Sequence, residues 1–127
     1  MTSPDKLSLI IQSGAYDRVH YALVMGSAAL ATGKPVTLFF TMAGTRALTP
    51  GWADAEKEKT FAADGLATFE EMLAACRDLE ATFMVCELGL RAENLTADDL
   101  RGDITITEGS AVSFLSDASE NGAMLYV

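Results

Sequence analysis

Two cysteines, one histidine and a set of carboxylates are the main groups this 127-residue chain offers to covalent or acid–base chemistry. Cys86 is the most telling of them. It ends an apolar, strand-like run, Thr82-Phe83-Met84-Val85-Cys86, and a Glu87-Leu88-Gly89-Leu90 turn is expected directly after it. Open α/β sheets bind their ligands beyond the carboxyl ends of their strands, which makes Cys86 a candidate reactive thiol. Sulfur chemistry asks for an accessible cysteine with some thiolate at neutral pH. A following helical turn or Arg91 would favour the thiolate, whereas Glu87 and Glu93 oppose it. The competing reading is a small apolar filler, because free cysteine is among the most buried residue types.

Other chemistries find little support. A phosphate loop needs glycines and a lysine after the first strand, so that backbone N–H groups and a cation can meet the anion. The stretch Gln12-Ser13-Gly14-Ala15-Tyr16-Asp17 has one glycine and no lysine, so no nucleotide cofactor is expected. Gln12 and Ser13 also cannot supply the acidic cluster that would hold magnesium at that strand end. No zinc or other metal site is expected, since His20 lies within a helical stretch and the cysteines lack metal-ligand spacing. The G-x-S-x-G elbow of a serine hydrolase is absent. His20 reads as a packed or surface histidine. Asp98 and Asp99 suit the positive end of a helix better than paired acid–base work.

Composition narrows the partners. The formal net charge is -9, which opposes binding to nucleic acid or anionic membrane, because both ask for lysine and arginine patches. Half of the residues are apolar, enough for a single domain with a real core. The longest apolar stretch, residues 19–31, contains His20 and Ser27 and is too short to span a bilayer. The opening residues lack the pattern of a signal peptide. Two cysteines do not make a disulfide framework. A cytoplasmic protein with both thiols reduced is the expectation.

These residues must be positioned by alternating strands and helices. Strands are predicted at residues 7–12, 36–40, 82–86, 104–107 and 123–127. Helices are predicted at residues 16–32, 68–80 and 110–120, with a short one opening after Thr96. Tyr16, Val19, Leu23, Gly26 and Leu30 form one face of the first helix, which Gly33 and Pro35 end. Thr68 and Glu71 fit a capping box, and Phe69, Met72, Leu73, Cys76 and Leu79 form a buried stripe behind it. That stripe makes Cys76 a core residue. Residues 42–65 read as a mobile excursion with one short helix, and the charge run Glu56-Lys57-Glu58-Lys59 as a solvated face. The order implies a three-layer α/β/α unit with a five-stranded parallel sheet. The first helix is apolar on its outer side too, at Tyr21, Val24, Met25 and Ala28. A helix apolar all round needs cover on both sides, so that side is expected to meet another subunit.

The run Ser13-Gly14-Ala15-Tyr16-Asp17-Arg18-Val19 leads into the small-residue helix of residues 22–31. Then follow Thr32-Gly33-Lys34-Pro35-Val36-Thr37-Leu38-Phe39-Phe40-Thr41-Met42-Ala43-Gly44. This ordered set resembles the DsrE/DsrF-like (DsrEFH) family of small sulfur-relay proteins, over nearly the whole chain as a single domain of residues 1–127. A cysteine directly after the third strand, here in Cys86-Glu87-Leu88-Gly89-Leu90, matches the variants that carry one there. The resemblance implies a five-stranded parallel sheet, assembly into homo-oligomers (trimers or hexamers), and a cytoplasmic role in passing sulfane sulfur between donor and acceptor proteins. By position, Cys86 would carry the persulfide. Against the family pattern, no C-terminal arm carrying a second thiol is expected after Val127, and the charged stretch of residues 51–60 is expected to reshape the mouth of the site.

Two main readings follow. In the first, Cys86 takes sulfur from a persulfide or thiosulfonate donor and yields it to an acceptor thiol. Backbone N–H groups after Gln12 and Cys86 would line the pocket, with Ser13, Gly14, Tyr16, Met42, Glu87 and Gly89 around it, since loops at one sheet edge converge. In the second, a non-catalytic oligomeric binding or scaffold protein uses the same crevice for a small ligand and is indifferent to the thiol. A third, a redox pair of Cys76 and Cys86, needs their Cα atoms within about 7 Å.

Overall fold

The structure, a computed structural model, describes residues 3–127. Five parallel strands form one sheet: β1 (Leu7–Ile11), β2 (Val36–Phe40), β3 (Thr82–Cys86), β4 (Ile106–Gly109) and β5 (Ala123–Tyr126), in the order β4-β3-β2-β1-β5. β1 pairs with β2 from Leu7 opposite Val36 to Ile11 opposite Phe40, and with β5 from Leu7 opposite Ala123. The near-continuous apolar runs of β1, β2 and β3 reflect burial on both faces, as parallel sheets require.

The helices are α1 (Tyr16–Ala31), α2 (Ala55–Ala63), α3 (Phe69–Asp78), α4 (Glu87–Ala92) and α5 (Ala111–Asp117). From β1 to β4 the chain steps steadily in one direction, so right-handed crossovers place α1, α3 and α4 on one face. The return from β4 to β5 runs the other way, and α5 therefore lies on the opposite face. Strand periodicity divides the core accordingly. Leu9, Ile11, Leu38, Phe40, Phe83 and Val85 join the main core under α1 and α3. Phe39, Met84, Cys86 and Phe114 form a thin second core, against which Ile10 packs. Phe114 is the one buried residue of α5, and its ring stacks on Phe39 at 4.7 Å.

The stretch of residues 42–65 is built from a 3₁₀ segment, Met42–Leu48, and α2. The charge run within α2 is not wholly a solvated face. Glu58 turns inward to the start of α3, where its carboxylate accepts from the backbone N–H of Phe69 at 2.7 Å and of Glu70 at 3.2 Å, and from the Tyr16 hydroxyl. Thr68 Oγ1 accepts from Glu71 N, and Glu71 Oε1 from Thr68 N, which completes the capping box. The free donors of the first turn of α3 are thereby satisfied.

Three other expectations shift. β4 pairs from Ile106, opposite Phe83, to Gly109, opposite Cys86, two residues later than the apolar pattern suggests. Ile104 is buried in the main core ahead of the ladder, which is why it reads as strand. Leu79 is the C-cap of α3 and is 47% exposed, so the buried stripe ends at Cys76. After Thr96 there is only a 3₁₀ turn, Ala97–Asp99, again with a capping box.

Candidate functional site

Cys86 is the last residue of β3 and the N-cap of α4, so a helix begins where a turn was expected. Its position on the strand points it to the second face, where it packs with Phe39, Met84 and Phe114 and is 6% exposed. Glycines bring the surrounding elements close. A Cβ on Gly89 would stand 2.6 Å from Thr45 Oγ1 and 2.7 Å from Met42 N, so this glycine lets α4 lie directly on the 3₁₀ segment. Arg46 secures the far end of α4 by donating from Nε to Glu93 Oε1 at 2.9 Å and from Nη2 to the Glu93 carbonyl at 2.7 Å. A Cβ on Gly109, the ladder partner of Cys86, would stand 2.8 Å from both Met84 Sδ and Ser113 Oγ, so the start of α5 also closes tightly beside the thiol.

A groove of about 640 Å³ opens along the carboxyl ends of β3 and β4, with Cys86 in its lining. α4 contributes Glu87, Leu88, Leu90 and Arg91, and the chain after it Leu95, Thr96 and Ala97. Glu108, Ser110, Ala111 and Val112 form the other wall. Leu88 and Val112 are 65% and 76% exposed, so the rim is apolar and open. A groove of this size admits a small molecule or a narrow peptide segment.

Of the residues proposed around Cys86, Glu87 lines this groove, whereas Gln12, Ser13, Gly14, Tyr16, Met42 and Gly89 do not. β1 stands two strands from β3, with β2 between them. Gln12 and Ser13 instead donate their backbone N–H groups to the Val127 carbonyl at 2.9 and 3.1 Å, and Gln12 Oε1 accepts from the Tyr126 hydroxyl. Gly14 passes Ala43 so closely that a Cβ would come within 3.1 Å of it. Met42 takes a left-handed backbone, φ 48°, at the exit of β2. Tyr16 is buried, and its hydroxyl is committed to Glu58. Burial and that carboxylate hold its phenol well above the ordinary tyrosine range. The groove residues of β4 and α5 were missed, although a usable signal existed. A short crossover after β3 places the next strand beside it, so the residues leaving that strand must meet Cys86.

Cys76 lies elsewhere. It is fully buried in the main core, its thiol directed to the Leu23 carbonyl at 3.5 Å, and burial pushes its pKa up to about 11. Both cysteines are free. They occupy different cores on opposite faces of the sheet, which removes the reading of the two as a redox pair. His20 is a packing residue. Its ring stacks on Tyr16, meets Phe61 edge-on at 4.8 Å, and donates from Nε2 to the Ala67 carbonyl at 2.8 Å. Among the described residues, no group of three or more His, Cys, Asp or Glu side chains is arranged to hold a metal ion. Among the same residues, no helix is long and apolar enough to cross a membrane.

A family model describing the DsrE/DsrF-like family matches residues 5–125. The chain belongs to that family, which is associated with sulfur relay, and its three-layer α/β/α fold with a five-stranded parallel sheet agrees with the family fold. A search of the curated proteins finds no match.

Proposed function

We propose that the protein is a cytoplasmic sulfur carrier that passes sulfane sulfur through a persulfide on Cys86. The observation that carries this reading is the place of Cys86 at a strand's carboxyl end, in the lining of an open groove, in a chain whose family is associated with sulfur relay. The chemistry needs no cofactor. The Cys86 thiolate attacks the outer sulfur of a donor R–S–SH. A new S–S bond forms, the donor's S–S bond breaks, and R–S⁻ leaves. An acceptor thiolate then attacks the outer sulfur of the Cys86 persulfide and regenerates the thiolate, so sulfur moves without net oxidation. Thiolate is the attacking species in both steps.

Homo-oligomeric assembly, as a trimer or hexamer, is part of the proposal. The outer side of α1 supports it, where Tyr21 and Met25 are 60% and 37% exposed.

One observation favours the second reading, a non-catalytic ligand-binding oligomer. Cys86 is only 6% exposed and packs among Phe39, Met84 and Phe114, as a structural cysteine would. Cyanolysis separates the two. Protein treated with a neutral organic persulfide, desalted and exposed to cyanide should release close to one thiocyanate per chain, and Cys86→Ser should release none. Equal release from both proteins, or from neither, favours the binding protein.

A further inference from the structure

The groove beside Cys86 carries an uneven set of charges. Glu87 and Arg91 stand one turn apart on α4 and bring opposite signs to the lining. Glu108, on the edge strand β4, enters the same lining from the other wall. Asp98, which is exposed, follows Ala97 of the lining in sequence, while Asp99 is taken up in the cap at Thr96. Glu93 is held by Arg46. Among the described residues, Arg91 is therefore the one cation lining a groove whose remaining charges are carboxylates, on a chain of net charge -9. The other lining groups are mostly apolar, with Leu88 and Val112 exposed.

Resting on the carrier reading above, we propose that this groove selects sulfur donors and acceptors by charge, taking neutral or cationic, partly apolar carriers and rejecting anionic ones, with Glu108 as the residue that sets the sign. A doubly charged anion such as thiosulfate meets the repulsion of Glu108, Glu87 and the attacking thiolate, and among the described lining side chains Arg91 opposes it. A neutral or cationic organic persulfide meets apolar walls and an attractive field. The field acts mainly on encounter, so the selection appears in the bimolecular rate and fades with salt.

Thiol–disulfide exchange reads this directly. The Cys86 thiolate attacks R–S–S–R to give the Cys86–S–S–R mixed disulfide and R–S⁻, and three symmetrical reagents of similar size vary the charge of R. Cystamine is cationic, 2-hydroxyethyl disulfide neutral and 3,3′-dithiodipropionate anionic. Rates are followed by intact mass, with Cys86→Ser as the blank, and each is divided by the rate of the same reagent with the neutral thiol N-acetylcysteinamide. At low ionic strength the normalised rate for cystamine should exceed that for the anionic reagent by about tenfold or more. High salt should shrink the ratio toward unity. Glu108→Lys should reduce it about threefold or more, and Arg91→Gln should widen it. Equal normalised rates, a preference for the anion, or a ratio unmoved by Glu108→Lys would overturn the charge selection and leave the carrier reading standing. No reaction of Cys86 with any of the three would overturn both.

Discussion

Cys76 and Cys86 lie on opposite sides of the same sheet, only ten positions apart in sequence. α3 carries Cys76 into the main core beneath α1, whereas the alternation of β3 turns Cys86 into the second core beneath α5. The sheet itself separates the two thiols, and no rotation of side chains brings them together. Oxidation of the folded protein is therefore expected to give no intrachain disulfide. With a small alkylating reagent, Cys86 should react in the native state and Cys76 only after unfolding, since it is fully buried and its pKa is pushed up to about 11. Peptide mapping after native alkylation reads the order, and labelling of Cys76 first would contradict it.

Glu58 is expected to matter for stability far more than its place in a charge run suggests. It accepts from two backbone donors of α3 and from the Tyr16 hydroxyl. Glu58→Ala should cost about 2 kcal/mol in chemical denaturation. Lys59→Ala, in the exposed part of the same run, should cost less than about 0.5 kcal/mol. Equal effects would return the whole run to the solvated surface.

Asp117 ties the end of α5 to the sheet. Its Oδ2 accepts from Lys6 Nζ at 2.7 Å and from Thr37 Oγ1 at 2.6 Å. Burial works to raise its pKa, but these hydrogen bonds, with the Lys6 charge, outweigh it and leave the carboxyl below the usual range. A depressed carboxyl stabilises the fold above its unfolded pKa of about 3.9, and that stabilisation is lost as pH falls through the folded value. Asp117→Asn should thus cost about 1–2 kcal/mol at neutral pH. The gap to wild type should close as pH falls from about 3.9 through the depressed folded value. A gap constant across that range would contradict the assignment.

Three glycines give a graded test of the packing around the site. A Cβ on Gly44 would stand 2.2 Å from the Ile11 carbonyl oxygen, and one on Gly89 2.6 Å from Thr45 Oγ1, while Gly102 has open space. Gly44→Ala should be the most damaging, Gly89→Ala should cost about 2–3 kcal/mol, and Gly102→Ala should be close to neutral. Thermal melts rank the three, and a damaging Gly102→Ala with a silent Gly44→Ala would refute the close approaches.

Much of this architecture is legible in the sequence because several independent signals agree at each element. β2 and β3 begin and end where their apolar runs do, and the Thr68–Glu71 capping box marks the start of α3. Legibility fails where a residue's role is set by something distant in sequence. Glu58 looks solvated beside Lys57 and Lys59, because its partners are a tyrosine and two N–H groups on other elements. β4 reads two residues early, because Ile104 is buried without belonging to the ladder. For the site, Cys86 and Glu87 could be placed from local pattern alone. Glu108, Ser110 and Val112 come to the groove only through the pairing of β4 with β3. Strand order decides which loops meet, and the loops after β1 and β3 are separated by β2.

Self-association is expected through the outer side of α1. Light scattering at micromolar concentration should give the mass of a trimer or hexamer, and the double variant Tyr21→Asp, Met25→Asp should lower it. These residues are 60% and 37% exposed in the isolated chain, so the variant is not expected to unfold it. A wild-type monomer would refute the assembly.

The most direct test of the central claim is intact-protein mass under non-reducing conditions after incubation with a sulfane-sulfur donor, using polysulfide and a neutral organic persulfide. Wild type, Cys86→Ser and Cys76→Ser are compared side by side. The carrier account predicts a one-sulfur mass gain on wild type and on Cys76→Ser, reversed by reductant and absent from Cys86→Ser. No adduct on folded wild-type protein with either donor, or an adduct that survives Cys86→Ser, would contradict it.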